Sequence, residues 1–388
     1  METVTENQKK PRNIIFWVNF TYFIMLCLLI GVQILSKTIL SNHLNTLQLD
    51  FVFALIVQIG IMFIIPLTAF SLIKRQKVSA TLKDFKVNKI SFKHILMSFG
   101  LGVCVFLLNL CIASLFNAII LALGYESLPS SGSNGGIDAS FVNFLLVTFY
   151  SAMLPGVCEE ITHRGMLLNG FKKQGLAKAL VLSSLMFGLM HLNINQFFYA
   201  FIVGLIIGFI AICANSIIPA MIVHFTNNFI NTYLDFASVN GWFCGDFYNV
   251  INNARLNADP ILVVFMSILI ITGVVVLFAY LLRKLLLERR EEQINAKARE
   301  IVLKEMMNEQ AKATECFEIN PVVVEQNVNE VKEKMLDLMV NKNNYVSFEM
   351  LNEEKDIQKP TFASNIFFYA SIVMASIMTI FTFIWGVL

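Results

Sequence analysis

Charge is what this sequence has least of. Of 388 residues, 29 are Lys or Arg and 27 are Asp or Glu, 14% in all, where soluble domains carry about 25%. That is too little charged surface to cover an apolar share of 56% that includes 35 phenylalanines, so a soluble fold is excluded. Disorder, collagen and coiled coil fail as whole-chain descriptions for the same reason. No C-x-x-C occurs, and the seven cysteines (Cys27, Cys104, Cys111, Cys158, Cys213, Cys244 and Cys316) are odd in number, five of them in apolar stretches. A disulfide framework or a zinc knuckle does not fit, and they read as small buried hydrophobes. There is no Gly-rich phosphate loop, no internal repeat, and no uniformly basic surface that would point to nucleic acid.

The remaining class is an all-α polytopic membrane protein. A spanning helix needs about 20 mostly apolar residues, and nine segments qualify: Ile14–Ile34, Phe51–Ile73, Ile95–Leu123, Phe141–Glu160, Ala177–Leu192, Phe197–Ala214, Ile217–Leu234, Ile261–Leu282 and Asn365–Leu388. The expectation is thus a bundle of eight or nine transmembrane helices. The fifth to seventh are short and interrupted by polar residues, which makes them poor lipid-facing helices and good site-forming ones. The first follows Lys9, Lys10 and Arg12 like a signal peptide, but its apolar run is too long for one and no A-x-A site follows, so it reads as an anchor.

The few charges are unevenly placed. Residues 288–359 hold 16 acidic and 11 basic residues, leaving 18 basic and 11 acidic for the rest. Basic residues recur in alternate loops: at the N-terminus, from Lys74 to Lys89, from Arg164 to Lys178, and from Arg283 to Arg290. The intervening loops hold only Lys37 and Arg255. By the positive-inside rule the N-terminus is cytoplasmic, in the cell membrane, and the C-terminus lies outside. The domains expected are a membrane bundle over residues 13–287, an acidic cytoplasmic segment over 288–360, and a C-terminal transmembrane helix over 364–388. Within 288–360, Val331, Met335, Leu338 and Met339 recur at helical spacing, and Pro321 is a break. The run ESLPSSGSNGG between the third and fourth segments is turn chemistry, expected to be mobile.

Charge inside an apolar segment costs roughly 2.5–3.5 kcal/mol per residue on the insertion scale. The fourth segment nevertheless ends in Glu159, Glu160 and Arg164, and three of the five histidines, His163, His191 and His224, fall between residues 160 and 225. Glu160 and Arg164, four apart, share a helix face and can pair. Glu159 is turned by about 100° from Glu160 and can face elsewhere, free for proton work. The bland reading puts both glutamates in headgroup water at a helix end and makes each histidine a satisfied polar residue. Placement weighs against it: Glu159 lies 16 residues before Gly175 and His191 lies 16 after it, so a hairpin turning there sets them at one depth. In the seventh segment His224 and Asn228 share a face, and Asn231 extends it.

A glutamate beside a histidine can hold and deprotonate a water, and a histidine and an asparagine on another helix can donate to an oxyanion. That suffices for attack of water on an amide without a covalent intermediate or a cofactor. The alternative is a zinc site on Glu159, His191 and His224, a His₂Glu set. Glu160-x-x-His163 also matches one element of a di-iron bundle, which needs two such elements; only one is present.

Three motifs, E-E-x-x-x-R at Glu159–Arg164, F-x-x-x-H at Phe187–His191 and H-x-x-x-N at His224–Asn228, resemble in order and spacing those of the CAAX-protease and bacteriocin-processing (Abi, or CPBP) family of intramembrane endopeptidases. The resemblance covers about residues 141–236. It implies a helical bundle with its active site inside the membrane, open to the cytoplasm in the prenyl-protein-processing members. It implies Glu159 as general base, His191 as its partner, His224 and Asn228 as the oxyanion site, and Glu160 and Arg164 as supporting residues. The family usually has an aromatic residue before the arginine, where this chain has His163. The expectation is a membrane hydrolase acting on a protein or peptide that is lipidated or membrane-embedded; prenylated proteins, peptide pheromones, bacteriocins and membrane regulators all suit the chemistry. The rivals are a catalytically inactive scaffold of the same fold acting through partners of the acidic segment, and a transporter.

Overall fold

A computed structural model describes residues 13–124, 139–250, 260–310, 321–338 and 360–387. The ESLPSSGSNGG run, Cys316 and Met339 lie outside the described residues. Among those described there are helices and no strand: α1 (Ile14–Thr38), α2 (Thr46–Lys74), α3 (Val78–Asp84), α4 (Phe92–Ala122), α5 (Phe141–Gln174), α6 (Leu176–Met190), α7 (Ile194–Ala214), α8 (Ile218–Asn240), α9 (Pro260–Gln310), α10 (Pro321–Leu338) and α11 (Phe362–Val387). Seven are long and apolar enough to cross a membrane, which makes the chain an integral membrane protein. Of the nine expected segments, the fifth and seventh do not meet that measure. Helix α6 is too short, and His224, Thr226, Asn227, Asn228 and Asn231 interrupt the apolar character of α8. These are the two that end in or carry a site histidine.

Two further differences have a physical cause. The fourth segment does not stop at Glu160: α5 runs on to Gln174, because Glu159, Glu160 and Arg164 are buried and partnered inside the bundle rather than released into headgroup water. The eighth does not stop at Leu282: α9 continues to Gln310 and packs Ile294, Ala298 and Val302 against Val324 and Val328 of α10. Helix α10 begins at Pro321, whose fixed φ and missing N–H suit a first helical turn.

Two of the spanning helices are locally widened into π-helix, α2 at Leu55–Ile64 and α5 at Phe149–Met153 and Ile161–Leu167. Prolines mark the first two. Pro66 and Pro155 have no N–H to give the carbonyl four residues earlier. The carbonyls so released, on Met62 and Ser151, are taken up from other helices, by Thr162 Oγ1 at 2.6 Å and by Asn228 Nδ2 at 3.2 Å. A released carbonyl at membrane depth must find a donor, and here each one stitches two helices together. Helix α8 packs along α4 and α5, α6 pairs with α7, and α11 packs on α1.

Candidate active site

Helices α5 and α8 run side by side, and glycine sets their separation. A Cβ on Gly156 would stand 3.0 Å from the backbone nitrogen of Phe225, so any larger residue would have to push the two helices apart by a few tenths of an ångström. One turn further along α5, Glu160 then reaches His224. Glu160 Oε1 accepts from Arg164 Nη1 at 2.9 Å and stands 2.9 Å from His224 Nδ1. Arg164 also donates through Nη2 to the Gly204 carbonyl of α7 at 2.8 Å. Glu160 is 0% exposed and Arg164 2%, so this is an ion pair deep in a low-dielectric interior, and Glu160 Oε2 is buried there without a hydrogen-bond partner.

Glu159 points elsewhere. Its Oε1 accepts from Gln58 Nε2 of α2 at 2.8 Å, and its Oε2 lies 3.9 Å from His224 Nε2. That second separation is too long for a direct hydrogen bond and suits one interposed water. The two adjacent glutamates thus have distinct surroundings: one is neutralised by Arg164, and the other has an oxygen facing an imidazole nitrogen across a short gap.

Helix α6 supplies Phe187 and His191. The Phe187 ring lies 5.0, 5.2 and 5.7 Å from the rings of His163, His191 and His224, edge-on to all three, and the Arg164 guanidinium stands 4.8 Å from its centre. A phenyl face attracts the cation and its edge meets the imidazoles, so Phe187 spaces four nitrogen-bearing groups apart. His191 closes α6 as its C-cap, with Nδ1 2.9 Å from the Phe187 carbonyl. A carbonyl only accepts, so Nδ1 carries the proton and Nε2 is the nitrogen left for chemistry. His163 is fully buried, with Nδ1 2.8 Å from the Glu159 carbonyl, and packs edge-on to Tyr22 and Phe187.

Glu159, Glu160, Arg164 and His224 are therefore joined by direct contacts or a one-water gap, and His191 joins them through Phe187. Asn228 stands one turn past His224. Its Nδ2 donates to the Ser151 carbonyl and its Oδ1 accepts from Asn227 at 2.9 Å; an amide nitrogen has a second hydrogen to give. Among the described residues no three His, Cys, Asp or Glu side chains are grouped so that they could hold a metal ion. Sequence reasoning missed Gln58 and Thr162. The only signal for Gln58 was a lone amide in the apolar run from Ala54 to Ile64.

A helical membrane protein with a buried acid–base cluster is the class these features define. Residues 141–230 match the model of the family described as type II CAAX prenyl endopeptidase, Rce1-like. No curated protein and no solved structure matches the chain. The matched segment runs from the start of α5 past Asn228 and contains all three motifs. The family implies intramembrane endopeptidase activity on protein or peptide substrates.

Proposed function

We propose that this chain is an intramembrane endopeptidase that hydrolyses a peptide bond by attack of a water activated by Glu159. The 3.9 Å separation of Glu159 Oε2 and His224 Nε2 inside a buried, charge-balanced cluster carries the reading. A water between them gives one proton to Glu159, and its oxygen attacks the scissile carbonyl carbon. The carbonyl becomes an oxyanion, which the second N–H of Asn228 receives, joined by His224 when its Nε2 already carries a proton. The C–N bond then breaks, and the proton held by Glu159 goes to the departing amine. Glu160, tied to Arg164, lies behind His224 and balances its charge when Nε2 is protonated. His191, its Nδ1 fixed by the Phe187 carbonyl, offers Nε2 as the partner of Glu159. No step calls for a metal.

The substrate class that the matched family suggests is a prenylated protein with a C-terminal Cys-a-a-X sequence, cut after the lipidated cysteine. The basic loops and the α9–α10 hairpin are assigned to the cytoplasm; reaction of Lys297 with an impermeant amine reagent in intact cells would contradict that side. The function is tested by reconstituting the full chain in lipid vesicles with a farnesylated Cys-a-a-X peptide and following release of the tripeptide by mass spectrometry. Release should be abolished by His224→Ala and unaffected by a chelator. Release that stops with the chelator would return the zinc reading, release by His224→Ala equal to wild type would remove His224 from the mechanism, and no release above protein-free vesicles would favour the inactive scaffold.

A further inference from the structure

Among the described residues Gln58 is the one hydrogen-bond partner of the Glu159 side chain; it lies outside the matched segment, and neither that match nor the three motifs points to it. It sits within the π-helical stretch of α2, in the run ALIVQIGIMFI, and is 8% exposed. An amide at that depth is costly unless bonded, and this one donates to Glu159 Oε1 at 2.8 Å, the short range of a hydrogen bond to a charged acceptor. Its place is fixed by a second link one turn on, where Thr162 donates to the Met62 carbonyl released by Pro66. Two rungs, Gln58 to Glu159 and Met62 to Thr162, thus lock the widened part of α2 onto α5 where its second widened stretch begins.

The consequence falls on the carboxylate. A glutamate side chain turns easily about its last bond, so the plane of its carboxylate needs an outside partner to set it. With one oxygen held by Gln58, the other is set opposite His224 Nε2. We propose that Gln58 is a positioning residue of the hydrolytic site, fixing the plane of the Glu159 carboxylate so that its second oxygen faces the water. This rests on the hydrolytic reading above. The Gln58 amide oxygen is itself buried without a protein partner. Being part of the same amide, it lies beside the carboxylate and suits a donor arriving with water or substrate.

The test uses Gln58→Met, which keeps length and removes the donor, and Gln58→Glu, which keeps shape and donates only when protonated. Both are made in the full chain in vesicles, with Glu159→Gln alongside and the farnesylated peptide as probe. Gln58→Met should lower kcat roughly tenfold to a hundredfold, the scale of losing a positioning partner, with KM within about twofold. Gln58→Glu should recover activity as the pH falls and the two carboxyls come to share one proton. Labelling of Glu159 by dicyclohexylcarbodiimide, read by mass spectrometry, needs no turnover; it should be several-fold faster in Gln58→Met, because the carboxylate has lost its donor. Wild-type labelling in Gln58→Met overturns the proposal, as does a rise in KM at unchanged kcat, which would put Gln58 on the substrate. Should Glu159→Gln cleave as fast as wild type, the hydrolytic reading falls and the positioning role with it. Should Glu159→Gln be silent while Gln58→Met matches wild type, only the role of Gln58 falls.

Discussion

His224 and His94 each stand within hydrogen-bond reach of a glutamate, 2.9 Å from Glu160 and 3.1 Å from Glu288. The resemblance ends there. The Glu160 side chain is fully buried, and its charge is met by Arg164, equally buried. The Glu288 side chain is 29% exposed and shares Lys93, whose amine is largely in solvent; Glu292 also approaches His94. The second cluster fastens α9 to the start of α4, helped by Arg289, which caps the end of α7 through the Ala214 carbonyl at 3.2 Å. It is a latch in which the His94 ring is buried but Lys93 and Glu288 stay in contact with solvent. The first takes charges out of water at a cost that burial of apolar groups would avoid. Equal pair geometry therefore carries opposite meaning: the rim pair is explained by docking, whereas the interior pair needs a chemical reason.

The sharpest way to break this contrast is to remove one interior partner. Arg164→Ala leaves Glu160 buried without its cation and should lower stability by about 3–5 kcal/mol, read as loss of yield and of the thermal midpoint in detergent. A normal midpoint would place Arg164 in solvent and erase the distinction. Next is Gly156→Val, which pushes α5 from α8 at Phe225. It should separate Glu160 from His224 and slow hydrolysis by up to about a hundredfold, the weight of an ångström of misplacement, while the α9–α10 contacts stay intact by cysteine cross-linking. The rim pair should give far less: Glu288→Gln is expected to cost about 1 kcal/mol or less, to matter less at high salt, and to leave the hydrolytic rate unchanged. A rate loss there comparable to that of Gly156→Val would make the latch part of the site.

The smallest effect concerns Asp84 on α3, outside the spans. Burial raises its carboxyl, but hydrogen bonds from Lys74 and Gln76 and the charge of Lys74 outweigh that and hold it below the ordinary value. Its contribution is therefore present above the unfolded carboxyl range, near pH 4, and is lost as the pH falls through the lower native value. Asp84→Asn should lower the thermal midpoint slightly at pH 7, by under about 1 kcal/mol for a part-exposed pair. The difference from wild type should shrink as the pH falls below the ordinary carboxyl range; a difference that grows on acidification would reverse the sign.

Helices were legible wherever apolar runs were long, and the pairing of Glu160 with Arg164 followed from a spacing of four. The turn between α5 and α6 at Gly175 was legible as the glycine midway between Glu159 and His191. Legibility failed where a feature depends on a distant partner. Pro66 and Pro155 are visible in the sequence, but that Thr162 and Asn228 take the released carbonyls is not. The lone Gln58 has no motif, and its meaning appears only when α2 lies against α5. Helix ends were misread wherever charge was taken as a sign of water: α5 passes through Glu159–Arg164 because the charges there have one another.

The central claim is that Glu159 is the base. The most direct test is hydrolysis of the farnesylated peptide by wild type and Glu159→Gln, each reconstituted in vesicles at equal, verified folded amounts. Glutamine keeps the shape and can still bond with Gln58 but cannot take a proton from water. The expected result is an unchanged fold with turnover reduced by about 10²–10⁴, the usual weight of a positioned acid–base group. Turnover by Glu159→Gln within a few-fold of wild type would contradict the claim.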